Sequence, residues 1–146
     1  MNKYFTSILI LALAGCFHSD EEKFSLDGAW VSSCYVALPN SQALYGISTM
    51  IFSSPNLTQG VTLFSDSSCS QEFGTQEEFS FTYMNGDKVI TSGGIEAQEL
   101  ITESKDGTGY TIFGLVENKL YFGDPESIET TNYPTKLEYS VYFTKQ

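Results

Sequence analysis

Glu78-Phe79-Ser80-Phe81-Thr82-Tyr83 alternates polar and aromatic side chains without a break. In an extended strand successive side chains point to opposite faces, so Phe79, Phe81 and Tyr83 share one face and Glu78, Ser80 and Thr82 the other. The stretch therefore reads as a half-buried strand. Asn85-Gly86-Asp87 follows, a composition suited to a tight hairpin turn, and the chain is predicted to return as a strand over 88–91.

Working outward, the same rhythm continues in both directions. Toward the N-terminus, strands are predicted over 58–64, 45–53 and 28–36. They are separated by Ser54-Pro55-Asn56 and Leu38-Pro39-Asn40-Ser41, with Ser65-Asp66-Ser67-Ser68 ending the first. Toward the C-terminus, Gly93-Gly94 interrupts before a strand over 97–103. Asp106-Gly107-Thr108-Gly109 is a turn before 110–116, and Asn118-Lys119 is the expected hairpin before 120–122. Gly123-Asp124-Pro125 stops that strand, and a long connection spans 126–135. A last strand over 137–143 would point Leu137, Tyr139, Val141 and Phe143 inward. No stretch shows a capped helical period; only 94–104 would admit a short helix. Eight or nine strands with turns at roughly ten-residue intervals predict an all-β fold. A small antiparallel β-barrel, whose closure removes exposed edges, is the expected form. A two-sheet β-sandwich is the alternative, because periodicity does not separate the two.

The N-terminus reads differently. Residues 1–15 hold one positive side chain, Lys3, then an uncharged run carrying Phe5, Ile8, Leu9, Ile10, Leu11 and Leu13. This is the build of a secretory signal, and the run is shorter than the roughly 20 apolar residues a permanent span needs. It ends in Leu13-Ala14-Gly15-Cys16, which resembles the bacterial lipobox. The resemblance implies cleavage before Cys16, a diacylglyceryl thioether on its sulfur and acylation of the freed amine. Two or more acyl chains give a stable anchor where one binds only marginally. The expected organisation is a signal peptide over 1–15, a lipidated tether over 16–24 and one β-domain over 25–146, placed in a bacterial cell envelope. Phe17 is not the Asp that retains many such lipoproteins in the inner membrane. By that resemblance the outer membrane is favoured if the host is Gram-negative.

Charge and cysteine use limit the possible partners. All seven basic residues are Lys; without Lys3, six face 18 acidic residues, a formal charge of −12. Such a surface repels a phosphate backbone, which excludes nucleic acid as a partner, and it disfavours direct adsorption to anionic head groups. It would attract a cationic protein or serve as a solubilising surface. Cys34 and Cys69 remain after Cys16 is lipidated, and in an oxidising compartment they are expected to form one disulfide. That bond would close a loop of about 35 residues and restrict the unfolded chain by roughly 3–4 kcal/mol.

Gly28-Ala29-Trp30, near the start of the first strand, resembles the Gly-x-Trp of lipocalins. There the Trp plugs one end of an eight-stranded barrel that carries a small apolar ligand. Trp30 is either such a plug or an ordinary core residue. The chain departs from that pattern in having no Arg to stack over the ring. Ser65-Asp66-Ser67-Ser68-Cys69 and the ending from Leu120-Tyr121-Phe122-Gly123-Asp124 to Tyr142-Phe143-Thr144-Lys145 are similar to small lipoproteins of Gram-negative bacteria. That similarity implies a family and no activity.

Catalytic chemistry has few candidates. His18 is the only histidine and lies in the tether, so no nucleophile–His arrangement is expected from the domain. Glu77-Glu78 and Asp124 with Glu126 read as solvated faces, and Asp106-Gly107-Thr108-Gly109 lacks calcium-loop spacing. No catalytic residue, metal site or cofactor is expected. The sequence supports a non-enzymatic, membrane-anchored envelope protein of binding or structural role. The alternatives are a lipocalin-like carrier of a small apolar ligand and an acidic inhibitor of a cationic protein such as lysozyme.

Overall fold

A computed structural model describes residues 24–38 and 44–146. The signal segment, Leu13, Ala14, Gly15, Cys16 and the tether through residue 23 lie outside the described residues. The described chain forms ten strands: β1 (Gly28–Ser32), β2 (Tyr35–Leu38), β3 (Leu44–Ser53), β4 (Asn56–Phe64), β5 (Glu72–Thr75), β6 (Phe79–Ile90), β7 (Glu96–Ser104), β8 (Gly107–Val116), β9 (Lys119–Phe122) and β10 (Phe143–Lys145). One turn of 3-10 helix, Pro125–Ser127, interrupts the β structure.

Eight strands pair antiparallel in the order β3-β1-β10-β9-β8-β7-β6-β4, and β4 pairs back to β3. The result is a closed eight-stranded barrel, not a sandwich. The two remaining strands prolong their predecessors or successors. β1 and β2 both lie along β3, Trp30 opposite Met50 and Tyr35 opposite Gly46, with a break at Ser33-Cys34. The strand expected over 28–36 is thus two pieces of one line. β5 and β6 share β4 in the same way. Together β2-β3-β4-β5 form a ribbon running past the barrel, and the Cys34–Cys69 disulfide ties its flanks across a Cα–Cα distance of 5.9 Å.

Register and the alternation of side chains fix two faces. Inward rows supply a core of Leu26, Trp30, Phe52, Leu57, Leu100, Phe113, Leu120 and Phe143. Each large side chain withdrawn from water contributes about 1.5–3 kcal/mol. Outward residues Ala97 and Ile112 are buried as well, because the segment after β9 folds back over β7 and β8 and lays Leu137 on them. Ser127, which is buried, pins that segment: its hydroxyl donates to Asp124 O at 2.7 Å and accepts the N–H groups of Thr135 and Lys136 at 3.0 and 3.1 Å.

Four local expectations are corrected. Asn85-Gly86-Asp87 is not a hairpin. β6 runs through it, and residues 86 and 87 oppose the single residue Glu99 on β7 as a bulge. A Cβ on Gly86 would sit 2.8 Å from the Glu99 Cβ, so glycine serves close strand approach there. The reversal comes later, at 91–95, where Thr91 N–H donates to Ile95 O at 2.9 Å and Gly94 takes φ +80°. The β8–β9 turn is Glu117-Asn118, both at positive φ, rather than Asn118-Lys119. The expected strand over 137–143 is irregular until Phe143, and Tyr139 is exposed. Residues 94–104 carry β7 rather than a helix.

Candidate functional site

The barrel interior has two unlike regions. The first, around Trp30, is filled, although the segment that closes it borders a wider open cleft with Tyr83 and Met84 on its other side. Trp30 on β1 is 2% exposed and donates its ring N–H to Leu26 O at 2.7 Å. That bond is available because the segment before β1 turns across the barrel. Phe24 packs on both Trp30 and Phe113, at centroid distances of 6.3 and 5.8 Å. Asp27 then fastens the segment to the β3–β4 turn, accepting Ser54 N–H at 3.2 Å and the Tyr83 hydroxyl at 3.0 Å. These bonds, that of Ser54 first, hold the Asp27 carboxyl below its ordinary pKa. Burial, followed by the hydrogen bond to Asp27, pushes the Tyr83 hydroxyl up.

Lys145 also reaches Trp30. It lies opposite Trp30 in the β1–β10 register, and its Nζ stands 5.5 Å from the Trp30 ring centroid. A cation over an indole face at this distance is favourable by about 0.5–1 kcal/mol at an exposed site. Gly28, at φ +121°, makes the crossing possible: a Cβ there would meet Lys145 Cε at 2.9 Å. No sequence signal announces this pair, because only closure of the barrel brings the last residues beside the first strand.

The second region is hollow. A cavity of about 210 Å³, partly open to solvent, lies among side chains that face inward from β3, β4, β6, β7, β8 and β9. Its apolar wall is Met50, Phe52, Leu57, Phe81, Leu100 and Phe122. Its polar members are Gln59, Thr102 and Thr111. Thr102 faces Gly109 across the β7–β8 pair, where a Cβ would come within 2.7 Å of the Thr102 Oγ1. The interior stays open at that place because two strands present small residues opposite each other. Of these residues, the sequence reading named Phe81, through its alternation with Phe79 and Tyr83, and Phe122, within the ending that starts at Leu120, and it marked neither as a cavity wall.

The other candidate positions fall elsewhere. Cys34 and Cys69 are joined outside the barrel, at the ribbon. Asp66, beside Cys69, gathers the Ser68 and Ser70 hydroxyls and the N–H groups of Ser70 and Gln71; the Ser68 hydroxyl first, then the Gln71 N–H, hold its carboxyl far below the ordinary range. This carboxylate organises a turn. Asp124 accepts Glu126 N–H at 2.9 Å and starts the 3-10 turn, while Glu77 and Glu78 are exposed between β5 and β6. Among the described residues, no three His, Cys, Asp or Glu side chains are grouped as a metal ion would need. His18 lies outside the described residues.

Comparison with known proteins adds no relative: no family model, no curated protein and no solved structure matches the chain.

Proposed function

We propose that the protein is a lipid-anchored, non-enzymatic component of a bacterial cell envelope whose barrel holds a small apolar ligand in its interior. The observation that carries the binding part of this reading is the cavity beside the core, bounded by three Phe rings, two Leu and Met50. An eight-stranded barrel is just wide enough for side chains to fill it or for one small ligand to replace some of them. Here one interior has a part filled by side chains and a part left open. A cavity of about 210 Å³ exceeds the roughly 150 Å³ that accepts benzene and falls short of the roughly 300 Å³ at which drug-sized sites begin. The ligand is therefore a single ring or a short chain. Trp30 acts in this reading as the barrel plug of a lipocalin-like carrier, with Lys145 in the place of the missing Arg.

The anchor part rests on Leu13-Ala14-Gly15-Cys16 and the apolar run before it. Cys16 carries the lipid, and the outer membrane is the favoured site if the host is Gram-negative. Cells fed labelled palmitate should label the protein, and Cys16→Ser should abolish both the label and sedimentation with membranes; retained labelling would remove the anchor.

Binding is tested separately by thermal unfolding with toluene present. A ligand selective for the folded state stabilises by RT ln(1 + [L]/Kd), so the midpoint should rise with toluene concentration. Leu100→Phe, which fills the cavity, should remove that response while leaving a folded protein. An unchanged response in the filled variant would place the toluene elsewhere.

A further inference from the structure

We infer that the cavity selects a neutral amphiphile, an apolar body of about eight carbon atoms ending in one uncharged hydrogen-bonding group such as a hydroxyl, and rejects the corresponding carboxylate and ammonium. This rests on the carrier reading above and specifies its ligand class.

The polar atoms of the wall carry the inference. Among the described residues, neither the Gln59 amide nor the Thr102 hydroxyl has a hydrogen-bond partner, although both line a cavity otherwise made of Phe, Leu and Met. The Thr111 hydroxyl donates to Ile112 O at 3.3 Å and keeps its lone pairs. Gln59 therefore offers two donors and an acceptor, and Thr102 one donor and two lone pairs, inside a small apolar space. Such groups discriminate: the cavity is partly open, so water reaches them, and a ligand lacking a matching polar atom displaces that water without replacing its hydrogen bonds.

The charge of the wall sets the other limit. No Lys, Asp or Glu lines the cavity. The inward-facing Lys145 is engaged with Trp30 in the filled region. A carboxylate entering the cavity would shed its hydration with no cation to meet it, and an ammonium would find no carboxylate. The protein's excess of acidic residues opposes an anion further. Size follows by proportion: a cavity of about 150 Å³ accepts the six carbons of benzene, so 210 Å³ accepts about eight.

The test uses the purified whole chain with its disulfide intact and methyl-labelled methionine. Met50 lines the cavity, whereas Met84 borders a separate cleft with Phe24, Leu26 and Tyr83, so the Met50 methyl resonance reports occupancy of the cavity and the Met84 resonance separates it from binding at the cleft. Titrations with 1-octanol, octane, octanoate and octylammonium at pH 7 compare head groups on one skeleton. Octanol should bind about 5-fold tighter than octane, the worth of roughly one net hydrogen bond, and at least about 10-fold tighter than either ion. The double substitution Gln59→Leu with Thr102→Val should bring octanol to within about twofold of octane while octane is unaffected. Octanoate or octylammonium binding as tightly as octanol would overturn the neutral-head assignment, as would an octanol preference that survives the double substitution. If no compound moves Met50, the carrier reading itself falls with it.

Discussion

The two regions of the barrel interior are built from the same inward rows, yet one is packed and the other is not. In the packed region the strands receive help from outside: the segment 24–27 brings in Phe24 and Leu26, and the last strand brings Lys145. In the hollow region the strands work alone, and they offer Gly109, Thr102, Thr111 and Gln59 among larger residues. The difference teaches that closure of the barrel does not by itself fill it. Filling takes side chains delivered across the end, and their absence on one side leaves a space that a ligand can occupy.

The largest expected effect separates the regions by stability. Trp30→Ala should cost about 3–5 kcal/mol, since it opens a void where every neighbour is packed. Chemical denaturation would measure it, and a loss under 1 kcal/mol would show that the filled region is not close-packed. Replacing Cys34 and Cys69 together by Ala should cost about 3–4 kcal/mol by freeing the unfolded chain. It should leave toluene affinity within about twofold, because the bond lies at the ribbon and not at the cavity. Met50→Ala should cost only about 2 kcal/mol, the low end for such a truncation, because one side of Met50 already faces empty space. The same substitution should shift ligand preference toward longer chains, measured in a homologous series of alcohols.

The smallest effect concerns the latch at the filled end. The folded carboxyl of Asp27 lies below its ordinary value, so its contribution is present above about pH 4 and is lost as pH falls through the folded value. Asp27→Asn should therefore be less stable than the parent at pH 7, with the gap closing toward pH 2. A gap independent of pH would mean that Asp27 acts through shape rather than charge.

Much of this architecture is legible in the chain. The alternation around Phe81 and the spacing of turns indicate an all-β fold with a barrel as the expected form, and the strand pairing decides for the barrel over the sandwich; Cys34 and Cys69 form the expected disulfide. The errors have local causes. Asn85-Gly86-Asp87 has the composition of a hairpin and of a bulge alike; Glu99, on the neighbouring strand, decides between them. The alternation over 137–143 is a coincidence of two layers: Leu137 is buried outside the barrel and Phe143 inside it. The cavity was not legible at all. A hollow depends on which small residues meet across strands, as Thr102 meets Gly109, and that is a property of register.

The hollow region is tested most directly by a crystal structure under xenon pressure, because space walled by apolar side chains takes up the gas. Xenon density should stand between Met50, Phe81, Leu100 and Phe122 and nowhere in the region around Trp30. Side chains collapsed into that space, with no xenon bound, would contradict the claim that the barrel keeps an apolar site for a ligand.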